Sequence, residues 1–299
     1  MMGAMLHGAF TEATVATLRP GADVRGVWAC VRKDRLTTRT GSPYLALELR
    51  DATGTVKARA FRDADALGAR FERGDLVRAA GRVERFRDEL VLEVLQIERV
   101  GAGEEVDPGA FLPSAYRDLD ELEGFLEHLA GEVHDRAYSA LLDQLLGERE
   151  LRAALRRAPC SRAGHHAYLG GLLEHTVAVA TLALELCQLH PRLDRNLLLT
   201  AAIVHDLGRT REFTYGAEIG LSEEGRMLGH LVIGERLIAA RAEHLDAARR
   251  LALLHCVLCH HGPGAAPEGR FQSAEAAALY RLNSLDAAVK GALEHGLRQ

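Results

Sequence analysis

The sequence predicts a multidomain α and β protein in which a small N-terminal β-barrel precedes an all-α domain. Three observations carry that reading. Apolar residues alternate at every second position from about residue 21 to 99, as in LALELRD at 45–51 and ELVLEVLQIERV at 89–100. From Tyr116 onward they recur at helical spacing instead, and the stretch between, GAGEEVDPGAFLPSA at 101–115, has no period at all.

Composition sets the frame. At 299 residues and 47% hydrophobic content the chain is long enough for two globular domains of about 150 residues each. A net charge of −5 gives no global pull on a polyanion, so nucleic-acid binding must come from a local patch. Five cysteines at 30, 160, 187, 256 and 259 form no disulfide framework and point to a reducing compartment. The start, MMGAMLHGAF, has no basic leader before an apolar core, and no run of about 20 apolar residues occurs. These features predict a cytoplasmic protein with no membrane partner.

Residues 1–20 read as an N-terminal segment and 21–100 as the barrel. LALELRD, TVKARAF at 55–61, DLVRAAGRVERF at 75–86 and ELVLEVLQIERV are parted by turns at Asp51 to Gly54 and Arg73-Gly74-Asp75. Five strands, with a short helix over Asp63 to Phe71 between the third and fourth, suit a closed barrel of the oligonucleotide-binding (OB) type. The alternation puts Leu45, Leu47, Leu49, Val56, Ala58 and Ala60 inside and leaves Tyr44, Arg50, Lys57, Arg59 and Phe61 outside. Arg25, Arg32, Lys33, Arg35 and Arg39 stand against one acid, Asp34, in the segment of strands 1 and 2. A single strand needs cations for phosphates and rings for bases. Arg32, Lys33, Arg35, Arg39, Tyr44, Lys57, Arg59 and Phe61 are therefore candidate nucleic-acid contacts, against the plainer reading of a solvated charged face. Trp28 suits a base platform or the core equally.

Residues 101–115 read as a linker and 116–299 as the helical domain. Leu119, Leu122, Leu126 and Leu129, then Leu141, Leu142, Leu145 and Leu146, mark its first helices. Its histidines fall at helix starts, ends or apolar faces: His165-His166, His175, His205 beside Asp206, His230, and His260-His261, with Asp286 in NSLDAAVKG. One imidazole on an apolar helix is more often a satisfied core residue than a ligand. Six such positions would each need a buried partner, at roughly 2–7 kcal/mol for each left without one. A metal centre removes the difficulty, because imidazole and carboxylate bind divalent transition ions and a carboxylate can bridge two. His175, His205, Asp206 and Asp286 supply three or four donors for one ion; His230 and His260, with Asp206 bridging, supply a second. Cys256 and Cys259 have metal-like spacing, but the second pair of a structural zinc site is absent, so they read as core.

The series H…HD…D, with GGLLEHT at 170–176 and HDLG at 205–208, resembles the HD-domain metal-dependent phosphohydrolases. The ordered set GSPYLALELRDATGTVKARAF, HHAYLGGLLEHT, AAIVHDLGR, MLGHL, VLCHHG and LYRLNSLDA resembles the YhaM family of 3′-to-5′ exoribonucleases from about residue 21 to 290. A similar His-rich stretch occurs in some conjugative relaxases, a likeness that the OB domain before it disfavours. The YhaM resemblance implies that His175, His205, Asp206 and Asp286 are signature metal ligands. It makes His230 and His260 second-site ligands and His261 a ligand or phosphate contact. His165 and His166 match a His-His pair expected at the rim, near substrate phosphate. Arg209 stands where the family has lysine; it keeps a phosphate-binding role but cannot give up its proton. Gly164 stands where an asparagine is expected, which removes that side chain's hydrogen bond.

The catalytic set so implied is Asp206, Arg209, His165 and His166, working with two divalent ions, manganese ahead of iron, cobalt, nickel, zinc or magnesium. The expected partners are single-stranded RNA, with single-stranded DNA second, and other copies of the chain in a homo-oligomer. Two other readings stand beside it: a phosphodiesterase of nucleotides or cyclic nucleotides with a regulatory OB domain, and a non-catalytic nucleic-acid-binding protein, which the intact donor set opposes.

Overall fold

The computed structural model describes residues 10–101, 104, 106–266 and 268–295. The chain divides into two compact units after Leu112, with the short segment Tyr215–Ile219 grouped with the first.

The first unit is the expected closed barrel. Its strands are β1 (Thr11–Glu12), β2 (Asp23–Thr37), β3 (Pro43–Asp51), β4 (Gly54–Ala60), β5 (Leu76–Phe86) and β6 (Glu89–Arg99), with α1 (Ala64–Gly68) between β4 and β5. The order is β1-β2-β3-β4-β6-β5, and β2 also pairs with β5, which closes the cylinder. One strand can serve two neighbours because β2 is long and bulged between Cys30 and Arg32: Asp23–Ala29 pair with β5, and the rest pairs with β3. The two-residue β1, parallel to β2, is an addition to the five strands expected. Leu45, Leu47, Leu49, Val56, Ala58 and Ala60 all face inward and are buried. Trp28 is fully buried among them, which makes it a core residue rather than a base platform. The first unit also runs further than the barrel. Phe111 and Leu112, inside the stretch read as linker, are buried, Phe111 against Ala29 and Ala217.

The second unit holds α2 (Leu119–Gly131), α3 (Arg136–Gly147), α4 (Arg149–Arg157), α5 (Gly171–Leu189), α6 (Arg195–Val204), α7 (Arg209–Glu212), α8 (Glu223–Ala239), α9 (Ala247–Cys259) and α10 (Ala274–His295). After α7 the chain departs from the all-α pattern, where β7 (Phe213–Tyr215) and β8 (Ile219–Leu221) form a two-stranded ribbon whose Tyr215–Ile219 tip is grouped with the first unit. Asp118, Asp135, Asp194, Ser222 and Asp246 cap α2, α3, α6, α8 and α9 by accepting from first-turn amides. The centre of the core is α5 and α6; every residue of Leu197–Val204 is buried. By length and composition α5 could cross a membrane, yet Leu172, Leu173, Val179, Ala180 and Ala183 pack inside this core and the same helix carries Glu174 and His175. Cys256 and Cys259 are buried on α9 in the manner of core residues.

Candidate metal centre

The buried helices end on their polar residues. The last turn of α6 closes at Val204, so His205 and Asp206 follow where the chain is leaving the helix, and both side chains are buried. Gly208 then lies so close to α8 that a Cβ there would sit 2.0 Å from the His230 carbonyl oxygen. Opposite it, Gly229 at φ 69° kinks α8, a left-handed conformation open to glycine, and His230 follows directly. His175 comes from the buried face of α5, His260 and His261 from the end of α9, and Asp286 from α10.

Asp206 stands between two groups of donors. Its Oδ1 lies 3.3 Å from His260 Nε2 and 3.4 Å from His230 Nε2; its Oδ2 lies 3.7 Å from His205 Nε2 and 3.9 Å from His175 Nε2. Within each group, His175 with His205 and Asp206, or His230 with His260, His261 and Asp206, the donor atoms all fall within 4.8 Å of one another. His205 and His260 donate Nδ1–H to the carbonyls of Ala202 and Val257, at 2.8 and 2.6 Å, which leaves each Nε2 as an acceptor turned inward, that of His205 facing His175 Nε2 at 3.2 Å.

Two atoms test whether an ion fits. Asp206 Oδ1 and His260 Nε2 are buried and have no hydrogen-bond partner among the described residues, a costly condition for a carboxylate oxygen and an imidazole lone pair. A shared cation satisfies both. Imidazoles with carboxylates suit a divalent transition ion. The protonation states of Asp206, His205 and His165 agree with that, and His175 would have to give up a proton. Burial alone would raise the Asp206 carboxyl, but Arg209 and the surrounding imidazoles hold it well below the usual range, so it stays anionic. Burial pushes His205 well down and, helped by the neighbouring charges, pulls His165 to about 4, so both are neutral near pH 7. For His175 burial acts downward too, but Cys160, Asp286 and Asp206 outweigh it and raise the ring well above the ordinary value.

The remaining site residues are placed less uniformly. Arg209 is buried, donating from Nε to Asp206 Oδ2 at 2.8 Å and from a terminal nitrogen to Glu212 at 3.1 Å. Asp286 does not converge with Asp206; its Oδ2 lies 2.6 Å from His175 Nδ1 and 3.0 Å from His166 Nε2, behind the His175 ring. A carboxylate there orients the imidazole and strengthens Nε2 as a donor. The His165-His166 pair expected at a rim is drawn inward. His166 is buried between Asp286 and the Tyr168 hydroxyl, and half-buried His165 lies 3.5 Å from Cys160 Sγ. Sequence reasoning missed Cys160, Glu212, Asn283, whose Oδ1 is 3.0 Å from His175 Nε2, and the Tyr168–Glu174–Lys290 network behind His166. Glu212 alone left a trace, three residues after Arg209 and so within reach of it on one helical turn.

On the barrel, the candidate contacts separate into two kinds. Lys33 is largely buried and donates to the carbonyls of Gly68 and Phe71 and to Glu72, tying β2 to the end of α1. Arg32 with Asp34, Arg35 with Asp65, and Lys57 with Glu89 form exposed ion pairs. Tyr44 stacks on Phe61 at 5.3 Å between centroids, Arg59 covers Phe86, and Arg39 is exposed in the β2–β3 turn. An open groove of 480 Å³ runs beside Arg32, with Arg50 and Arg73 on its walls; Arg73 is a cation that sequence reasoning passed over.

Comparison with known proteins agrees with both halves. Residues 26–100 match the OB-fold nucleic acid binding domain and residues 172–288 the HD domain, while a helicase model matches residues 135–196. The chain is an OB-fold domain followed by an HD domain, with a divalent metal site in the second. Over most of its length it is homologous to proteins named 3′-5′ exoribonuclease YhaM. The one from Shouchella clausii is 28% identical over 275 residues, 91% of this chain and 85% of that protein. The one from Bacillus subtilis is 28% identical over 251 residues, 83% and 79% of the two chains. Among solved structures, the second OB-fold domain of replication protein A from Methanococcus maripaludis covers 32% of this chain at 17% identity, with a TM-score of 0.25.

Proposed function

We propose that the protein is a metal-dependent 3′-5′ exoribonuclease that shortens single-stranded RNA to nucleoside 5′-monophosphates, with single-stranded DNA as a second substrate. The observation that carries this reading is Asp206, whose two oxygens face two separate groups of imidazole donors. The homology to YhaM over most of the chain supports the choice of a polymer over a small nucleotide.

A pair of divalent ions, when bound, supplies activated water at neutral pH and neutralises charge on the phosphoryl oxygens. The chain's own residues do the rest. His205 presents a lone pair, His175, His230, His260 and His261 would each turn a ring nitrogen to an ion, His175 giving up the proton that its acidic neighbours favour, and Asp206 offers one oxygen to each group. Arg209, fixed by Asp206 and Glu212, holds a permanent positive charge beside the phosphate and cannot act as the acid. His165, neutral at working pH, serves as a hydrogen-bond partner rather than a proton store. The OB domain supplies affinity for the strand, and that affinity should weaken with salt. Five free, buried thiols suit a reducing cytoplasm.

The test is a gel time course of metal-stripped protein on matched end-labelled single-stranded RNA and DNA, with Mn²⁺, Mg²⁺ or Zn²⁺ added back and D206N alongside. A ladder shortening from the 3′ end, restored by metal and absent in D206N, is the expected result. Intact polymers under every ion, with mononucleotides or cyclic nucleotides hydrolysed instead, would overturn it.

A further inference from the structure

We infer that Cys160 is a thiolate donor to this metal centre, giving the His175 side a sulfur ligand. The inference rests on the metal-centre reading above. Cys160 lies between α4 and the His165-His166 pair, fully buried. Its Sγ, a nitrogen of His165 and a nitrogen of His175 lie within 4.8 Å of one another, forming a donor group that shares His175 with the His205–Asp206 group. The sulfur is 3.5 Å from His165 Nε2 and 3.7 Å from Asp206 Oδ2.

Those separations have a meaning. A nitrogen at about 2.1 Å and a sulfur at about 2.3 Å from one tetrahedral ion lie about 3.6 Å apart. A buried thiol packed only as a small hydrophobe would have apolar neighbours, as Cys187 does in the helical core. Cys160 faces a carboxylate and two imidazoles instead. The same centre contains the buried Asp206 Oδ1 and His260 Nε2 that lack hydrogen-bond partners, so the need for a cation is visible independently of the sulfur.

Coordination releases the thiol proton to solvent and leaves sulfur as an anionic ligand. Such a ligand favours softer ions, zinc, cobalt or iron, over manganese, which prefers oxygen and nitrogen. The centre therefore takes a softer ion on its His175 side than a His/Asp set alone would choose.

The experiment loads the metal-stripped full-length protein with Co²⁺ and records its absorption spectrum. Wild type should show ligand-field bands in the visible and a sulfur-to-cobalt charge-transfer band in the near ultraviolet. C160S should keep the former and lose the latter, while C187S, altered in the helical core, keeps both. Competition with a chromophoric chelator should show Zn²⁺ affinity falling at least about tenfold in C160S, with Mn²⁺ changed by less than about threefold. If C160S does not fold, X-ray absorption at the zinc edge of wild type should still show a sulfur scatterer at about 2.3 Å. Cobalt bound without the charge-transfer band, or a zinc edge with only nitrogen and oxygen neighbours, overturns the thiolate and leaves the metal centre standing. Failure to bind cobalt at all overturns both.

Discussion

The two domains hold their functional residues in opposite ways. In the HD domain four of the donors are buried and each is held by a second contact, Ala202 and Val257 carbonyls behind His205 and His260, Asp286 behind His175 and Arg209 against Asp206, while His230 is part-buried and His261 exposed. On the barrel, Lys33 apart, candidate cations are exposed and paired with nearby acids, as in Arg35 with Asp65 and Lys57 with Glu89. A buried donor set can relax only at large cost, so it is committed to one ligand chemistry before that ligand arrives. An exposed ion pair is worth about 0–1 kcal/mol and exchanges an acid for a phosphate with little penalty. The metal centre is thus preorganised, and the charged face of the barrel is exchangeable.

The sharpest test of that contrast is Asp206→Asn. It removes one anionic oxygen from each group while keeping shape, and the expected loss is at least about 10³-fold in nuclease rate, with the far-ultraviolet circular dichroism unchanged. A loss of only a few-fold would mean the two groups do not work through Asp206. Next in size is metal removal. An ion present at about 100 times its Kd stabilises the fold that binds it by about 2.7 kcal/mol, which moves a domain of this size by roughly 5–10 °C. Scanning calorimetry with and without chelator should show that shift in the helical domain and none in the barrel. Equal shifts in both would break the comparison.

How much of this was legible depends on what each feature requires. Barrel strands announce themselves because alternation is local: Leu45, Leu47 and Leu49 are enough to set an inward face. The candidate metal donors were legible for a different reason, since His205-Asp206 at the end of LLLTAAIV has no place in an apolar core without a partner. Cys160, Asn283 and the Tyr168–Glu174 contact were not, because each enters the centre through a loop path or a helix packing that spacing does not encode. The inward position of His166 escaped notice likewise: it takes φ 49°, a conformation that nothing in HHAYLGG specifies for a histidine. Charge runs mislead most easily. Lys33 counts as one cation among five in the sequence, while in the fold its ammonium is spent on two carbonyls and Glu72.

On the barrel, the larger effect belongs to the rings. Tyr44→Ala and Phe61→Ala each remove a stacking surface, worth about 1–3 kcal/mol per base, so filter binding should show RNA affinity falling roughly 5- to 150-fold with thermal stability little changed. Affinity that stays put would reduce the Tyr44–Phe61 pair to a packing contact.

The smallest effect separates the two kinds of cation. Lys57→Ala removes an exposed charge whose ion pair with Glu89 contributes little to stability, so the melting temperature should stay where it is. If Lys57 meets a phosphate, the slope of log K against log salt should become shallower by about 0.7, the increment for one contact on a single strand. Lys33→Ala should do the reverse. Losing that ammonium strands the carbonyls of Gly68 and Phe71 in a part-buried position, at about 1–3 kcal/mol, and the barrel's melting temperature should fall while the salt slope holds. A common response to both substitutions would erase the distinction between anchored and exchangeable cations, because only a lysine that is free to leave its protein partner can be counted by the strand.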